Sequence, residues 1–184
     1  MKHAGAGWRD LALAAILMGA GSAIASGESL TRPGNGLTEM HLVGDGTPGM
    51  MVIGRRENFN AHSFDVVSLF IRLDDQWQLV PVYDADRERD SFTSSGGADC
   101  LLHDFRFVRH HVKAPLELVI ADRDYRDSFL AVRPVVFRLY ELTRNARSEP
   151  GAPMWSFRLR STRTSAKSYC DVGDAFAHES TWRE

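Results

Sequence analysis

The sequence MMVIGRRENFNAHSFDVVSLFIRL, from Met50 to Leu73, shows how this chain is built. It contains two largely apolar runs, residues 50–53 and 66–73, on either side of a polar segment. Apolar runs of this length, bounded by polar residues, are typical of β-strands. We therefore predict two strands, the second from Phe64 to Leu73, joined by a loop.

The polar segment itself, from Arg55 to Ser63, is rich in side chains that form hydrogen bonds and contains a single aromatic residue, Phe59. Such a loop either satisfies its own backbone or presents several donors and acceptors to a ligand. Composition leaves both alternatives open at this point.

The same alternation of apolar and polar residues extends in both directions from this stretch. Turn residues at 44–49 and at Asp74-Asp75 predict two hairpins, and Pro81, which lacks an N–H, indicates an edge or a bulge. Asp171 is a suitable N-cap for a helix over 172–179. The other predicted strands are residues 37–43, 76–83, 101–109, 116–121, 135–143 and 155–160.

These elements predict an all-β fold, either an antiparallel β-sandwich or a sheet-rich single domain, with a short C-terminal helix. The chain has 184 residues, enough for one domain with a substantial core. We place that domain at residues 37–184 and interpret the polar segment 26–36 as a flexible lead-in.

The N-terminus has the pattern of a signal peptide. Basic residues precede the apolar run 11–18, and Ala23-Ile24-Ala25 is a small-x-small cleavage site. We predict cleavage after Ala25 and a periplasmic protein that has no membrane span after cleavage. In an oxidising compartment, Cys100 and Cys170 are expected to form a disulfide.

Composition and motifs exclude several functions. The formal net charge of −2 does not favour nucleic-acid binding. His110 and His111 are adjacent, so on a strand they face opposite sides and cannot ligate one metal ion. The chain contains no Gly-x-Ser-x-Gly or Ser-x-x-Lys motif. We therefore expect no metal, no cofactor and no catalytic residue, and we interpret His103 as a partly buried histidine.

Three strands carry an Arg between apolar residues: Arg106, Arg138 and Arg158. On neighbouring strands they could form a cationic stripe on the outer face of the sheet. The alternative is pairing with nearby acidic residues. The acidic candidates are Asp104, Glu117 and Glu141.

Several segments resemble the periplasmic carbapenem self-resistance proteins of the CarG type. The resemblance is clearest in Arg56-Glu57-Asn58-Phe59-Asn60-Ala61-His62-Ser63-Phe64-Asp65-Val66. It also includes residues 35–37, 44–46, 77–82 and 96–100. It implies an exported, β-rich protein that protects its cell from a carbapenem without being a classical β-lactamase.

A carbapenem carries a carboxylate and a strained amide, so a protein that binds it needs a cation and hydrogen-bond donors. From the resemblance and the composition together, we assign Arg56 to the carboxylate and Asn58, Asn60 and His62 to orientation, with Ser63 beside them. Two alternatives remain: an inhibitor or immunity-like module that binds a periplasmic protein, and an enzyme of unrecognised type. A concave pocket over residues 56–63 favours the small ligand, and a flat Arg-rich sheet favours a protein partner.

Overall fold

Twelve strands and one short helix make up the described part of the chain, and the strands join into one sheet. The computed structural model describes residues 28–30 as backbone, and residues 32–97, 99–126, 128–179 and 182 in full. The predicted signal peptide, residues 1–25, lies outside the described residues. No helix within the described ranges is long and apolar enough to cross a membrane.

The strands follow one another in the order β2-β3-β4-β8-β9-β10-β11-β12-β6-β7, with β1 beside β9 and β5 beside β4. The prediction of an all-β fold with a short C-terminal helix is confirmed. The elements are β1 Glu28–Leu30, β2 Gly36–Met40, β3 Gly49–Arg56, β4 Phe64–Leu73, β5 Gln76–Leu79, β6 Val82–Asp84, β7 Arg87–Arg89, β8 Phe92–Gly96, β9 Leu101–Arg109, β10 Glu117–Arg123, β11 Arg133–Arg144, β12 Trp155–Tyr169 and α1 Val172–His178.

The sheet is mixed, because β6 pairs with β12 in the parallel direction. The predicted strand 76–83 is in fact two strands that separate at Pro81. The Pro81 carbonyl accepts a hydrogen bond from the Phe157 backbone at 2.9 Å. Since Pro81 cannot donate to a ladder, the chain leaves the edge of β4 there and continues beside β12.

The segment 26–36, which we predicted to be a flexible lead-in, contains strand β1. Residues 28–30 pair antiparallel with β9, where Leu30 lies opposite Phe107 and Glu28 opposite Arg109. Strand β8 occupies only the beginning of this edge of β9, at Leu101 and His103. The later part of that β9 edge therefore has free backbone groups, and β1 satisfies them.

Two apolar cores lie on opposite faces of the central strands. The first joins residues of β3 and β4, such as Met51 and Leu69, to Phe105 and Phe157 of β9 and β12. Because β3 and β12 are far apart in the strand order, the sheet must fold over to bring them together. The second core packs helix α1 against the other face of β9, β10 and β11.

The C-terminal helix is held by its cap and by a disulfide. Asp171 accepts a hydrogen bond from the Gly173 backbone at 2.6 Å, as expected of an N-cap. Cys100 and Cys170 form the disulfide that the sequence predicted, with their Cα atoms 5.7 Å apart. The helix is thereby linked to the beginning of β9.

Candidate functional site

The polar loop proposed from the sequence forms the tip of the β3–β4 hairpin. Arg56 and Phe64 are the last opposed pair of this ladder, and residues 57–63 reverse the chain. Phe59, near the tip, has a φ of 55° and is 96% exposed. A bulky residue rarely adopts this left-handed conformation, which disfavours every residue with a Cβ.

Most polar side chains of the loop hydrogen-bond within the loop. The Asn58 backbone donates to Ser63 Oγ at 3.1 Å, and Asn58 Nδ2 donates to the His62 carbonyl at 3.0 Å. The His62 backbone donates to Asn60 Oδ1 at 2.8 Å. Ser63 donates to Glu57, and this bond is the main cause that lowers the pKa of the Glu57 carboxyl. Asn58, Asn60 and Ser63 therefore stabilise the loop itself.

The two remaining predicted side chains pack against different neighbours. The Arg56 guanidinium lies 5.3 Å from the centroid of the Phe64 ring. The His62 ring lies 4.7 Å, centroid to centroid, from Phe129 in the β10–β11 loop. The five predicted residues consequently do not line a single concave pocket.

A shallow groove of about 210 Å³ lies beside the loop. Of the five predicted residues, Ser63 alone lines it, together with Arg32, Arg55, Asp65 and Ser94. Arg32 is already engaged there, with Asp65 at 2.5 Å and Ser94 Oγ at 2.9 Å. The groove is polar, and its arginine is paired with carboxylates of the protein.

A second cavity of about 250 Å³ lies between β6, β7, β8, β9, β10 and β11. Its apolar lining, which includes Val82, Phe92 and Ile120, is continuous with the first core. We call this cavity the polar cleft. The polar residues of its lining that matter below are Asp84, Arg89, His103, Asp122, Arg138 and Tyr140.

Asp122 is the centre of the charge network in the polar cleft. It lies directly opposite His103 in the β9–β10 ladder, and both His103 Nδ1 and Arg138 contact its carboxylate oxygens. Burial raises the pKa of Asp122. The His103 hydrogen bond and the nearby charges of His103 and Arg138 lower this pKa by more than burial raises it, so the net shift is downward. Asp122 thus stays ionised and orients both partners.

The sequence indicates a partly buried His103 but does not reveal this cluster. His103, Asp122 and Arg138 belong to three different strands and are distant in sequence. The available signal was their position on the same alternating face as Phe105, Ile120 and Tyr140. Using that signal requires the strand order and the register, which are properties of the tertiary structure.

Of the two alternatives for these three arginines, the stripe does not form. Arg106 lies opposite Val119 on β10, whereas Arg138 lies opposite Ile120. Adjacent residues on a strand face opposite sides, so Arg106 and Arg138 are on opposite faces of the sheet. The side chains instead contact Asp104 and Phe176 (Arg106), Asp122 (Arg138) and Tyr83 (Arg158).

An exposed group of rings, which we call the aromatic patch, lies where the β3–β4 and β10–β11 loops meet. It consists of His62, Tyr125 and Phe129. Tyr125 stacks on Phe129 with the ring centroids 5.3 Å apart, and the two side chains are 50% and 41% exposed. Large aromatic residues at this exposure are candidates for contact with a partner.

A metal centre finds no support among the described residues, where no group of three or more His, Cys, Asp or Glu side chains is placed to hold an ion. The network at Asp122 contains one histidine and one carboxylate, and arginine completes it. Its chemistry is therefore hydrogen bonding and charge pairing.

Comparison with known protein families matches residues 34–178 to the family described as "Carbapenem resistance protein CarG-like". The chain belongs to the CarG-like family. A crystal structure of CarG matches this structure with a TM-score of 0.70, covering 83% of this chain and 96% of that chain. The sequence identity is 22%, so the structural match shows a shared fold. No curated protein matches this sequence.

The resemblance inferred from the sequence is therefore confirmed at the level of the family. The matched range of this CarG-like chain contains the loop 55–63 and every residue of the polar cleft. Arg32, which is prominent in the shallow groove, lies outside it.

Proposed function

We propose that this CarG-like protein is exported and protects its cell from a carbapenem-like β-lactam by binding the drug without hydrolysing it. The observation that carries the proposal is the family match over residues 34–178. The N-terminal signal-peptide pattern supports export. The absence of a recognisable hydrolytic motif from the whole sequence supports binding over turnover.

On the loop, the proposal assigns different roles to the predicted residues. Arg56 supplies the cation for the drug carboxylate, because its guanidinium is exposed and makes a ring contact that leaves its N–H groups able to donate. His62 is exposed on the same loop and contributes to orientation. Asn58, Asn60 and Ser63 act through the loop conformation that their hydrogen bonds maintain.

The test is calorimetric titration of the purified mature protein, beginning at Ser26, with a carbapenem. A parallel ultraviolet assay follows loss of the β-lactam. Saturable heat with an unchanged β-lactam absorbance is the expected result. Hydrolysis at a rate above the buffer blank would instead make the protein an enzyme, and the absence of both signals would refute drug binding.

A second candidate function is a module that binds a periplasmic protein, and the aromatic patch favours it. Aromatic residues are enriched in the buried centres of protein interfaces, where they contribute much of the affinity. Here Tyr125 and Phe129 are stacked in advance, which reduces the entropy lost on binding. This candidate depends on the patch and does not require the arginine stripe.

One substitution in the aromatic patch separates the two candidates. In affinity capture from a periplasmic extract, a partner held by the aromatic patch should be retained by the natural protein and lost with Tyr125→Ser. The same substitution should leave carbapenem titration unchanged if the drug binds at Arg56, because Tyr125 stacks on Phe129 and not on His62. Equal capture by both proteins would remove the patch from consideration.

A further inference from the structure

The polar cleft has features of a ligand site that the loop hypothesis does not use. It combines an apolar lining, formed by Val82, Phe92 and Ile120, with charged and hydroxyl groups. Small-molecule sites are typically apolar concavities with a few placed polar groups. The cleft has that composition.

Tyr140 has a hydroxyl at the cleft that lacks a protein partner. Its side chain belongs to the first core and the residue is 3% exposed, yet it also lines the cleft. Within the described part of the chain, its hydroxyl makes no hydrogen bond. The hydroxyl oxygen is not one of the fully buried polar atoms that lack a partner, so it opens into the cleft. It is therefore available to a ligand that enters the cleft.

The Tyr140 hydroxyl is a donor under all physiological conditions. Burial raises the pKa of Tyr140 to about 12, and the nearby Asp84 carboxylate contributes to the increase. The phenol therefore keeps its proton and can donate a hydrogen bond to an oxygen acceptor.

The cleft also contains more donors than acceptors. The side-chain hydrogen bonds of Arg138 and Arg89 go to Asp122 and Asp84 alone, among the residues that the structure describes. A guanidinium has five N–H groups, so each arginine keeps donors beyond those bonds. The two carboxylates are already engaged, so the groups left without partners are mainly donors. A complementary ligand must be rich in acceptors.

Size limits the ligand further. Sites for drug-sized molecules occupy about 300–1,000 Å³. At about 250 Å³, the polar cleft suits a smaller molecule, such as a dipeptide or an unsubstituted bicyclic β-lactam. Both of these classes carry a carboxylate close to an amide carbonyl, which is the arrangement that two arginines and a phenol would recognise.

We propose that the polar cleft binds a small molecule in which a carboxylate lies next to an amide carbonyl, with Arg89 and Arg138 facing the carboxylate and the Tyr140 hydroxyl donating to the carbonyl. The proposal is independent of Arg56 and the loop. It assigns a binding function to residues of β7 and β11, outside the loop that the sequence hypothesis used.

Isothermal titration of the mature protein with three probes tests this proposal. The probes are a carbapenem with a free carboxylate, its methyl ester and N-acetyl-alanyl-alanine. Binding of the free carbapenem alone identifies the β-lactam as the source of this chemistry, and binding of the dipeptide identifies a peptide C-terminus. The methyl ester, which lacks the anionic carboxylate, should bind at least tenfold more weakly than the free carbapenem.

Matched variants locate the binding. Tyr140→Phe removes the hydroxyl and retains the ring, and we expect about tenfold weaker binding, the usual effect of one lost hydrogen bond. Arg89→Gln removes a largely exposed cation and should weaken binding by about tenfold to a hundredfold. Tyr83→Phe and Arg160→Gln are controls, because these residues pair with Glu88 and Glu117 and do not line the cleft.

Backbone amide shifts in NMR spectra give a second readout that does not depend on substitutions. Ligand should move the resonances of residues 91–93, 103, 122 and 138–140. Failure of all three probes to bind, or binding unaffected by both cleft variants, would overturn the proposal. Carbapenem binding that is lost with Arg56→Ala and retained with Tyr140→Phe would support the loop and refute the cleft.

Discussion

Asp171 Oδ2 accepts a hydrogen bond from the backbone N–H of Leu101 at 2.8 Å, although the two residues are 70 positions apart. The other carboxylate oxygen of Asp171 caps helix α1 through Gly173. The disulfide between the preceding residues, Cys100 and Cys170, brings the same two segments together. One carboxylate therefore organises both the start of the helix and the start of β9.

Replacing Asp171 by Ala should lower the free energy of unfolding by about 2–3 kcal/mol, because it removes a helix cap and leaves the Leu101 N–H without its acceptor. Urea unfolding followed by circular dichroism measures the change. Asp174→Ala is the matched control, since Asp174 is exposed in the first turn and its side chain is not the cap. An equal effect of the two substitutions would contradict the double role of Asp171.

Removing the disulfide with the double substitution Cys100→Ser and Cys170→Ser should cost about 4 kcal/mol, because the unfolded chain regains the freedom of a long closed loop. The sequence separation of the two cysteines is 70. Denaturant unfolding of the natural protein with and without a reducing agent provides the comparison. The reduced natural protein should match the double variant, and the double variant should not respond to the reductant.

The stability of the protein at alkaline pH should depend on the ionisation of Tyr140. Its pKa in the folded state is about 12, above the ordinary value of 10.0. A raised folded-state pKa gives stability that is complete below pH 10 and is lost as the pH rises towards 12, because the unfolded state ionises first. This difference in pKa between the folded and unfolded states corresponds to about 2.7 kcal/mol of stability.

The stability of the natural protein should therefore fall more steeply between pH 10 and 12 than that of Tyr140→Phe, by about 2–3 kcal/mol. The other titrating groups are common to both proteins and cancel in the comparison. Chemical denaturation at several pH values measures it. Parallel curves for the two proteins would show that Tyr140 ionises normally.

Phe59→Asn should raise the free energy of unfolding by about 1 kcal/mol, because asparagine tolerates the left-handed conformation better than phenylalanine. The φ of 55° at this position is the reason for the expected gain, and the exposed ring has little packing to lose. Phe59→Ala is the control, since alanine keeps a Cβ without the tolerance of asparagine. Thermal unfolding of the three proteins distinguishes the backbone effect from the loss of the ring.

Arg56→Ala should weaken carbapenem binding by about tenfold or more, the usual cost of a lost charged hydrogen bond. Its effect on stability should stay below about 1 kcal/mol, because the ring contact with Phe64 is near the surface. Arg55→Ala is the neighbouring control, since Arg55 pairs with Glu57 at 3.3 Å. Unchanged affinity in Arg56→Ala would exclude Arg56 from the site.

The parts of the fold that were predicted well depend on local patterns. Strands β4 and β9 have the predicted bounds, Phe64–Leu73 and Leu101–Arg109, because each is a run rich in apolar residues that ends at polar residues. Strand β8, with the sequence FTSSG, was missed. Its small polar residues have low strand propensity, and they extend because β4 and β9 lie on either side of them.

The sequence by itself determined the all-β class and the capped helix, because both depend on local patterns. It also determined the disulfide, because only one pairing of two cysteines exists, and it indicated the family through the resemblance of residues 56–66. Only the tertiary structure decided which polar groups meet. The strand register brought His103, Asp122 and Arg138 together in the polar cleft and separated Arg106 from Arg138. The physical reason is that a shift of one residue in register moves a side chain to the opposite face, and the register is set by the packing of the whole sheet.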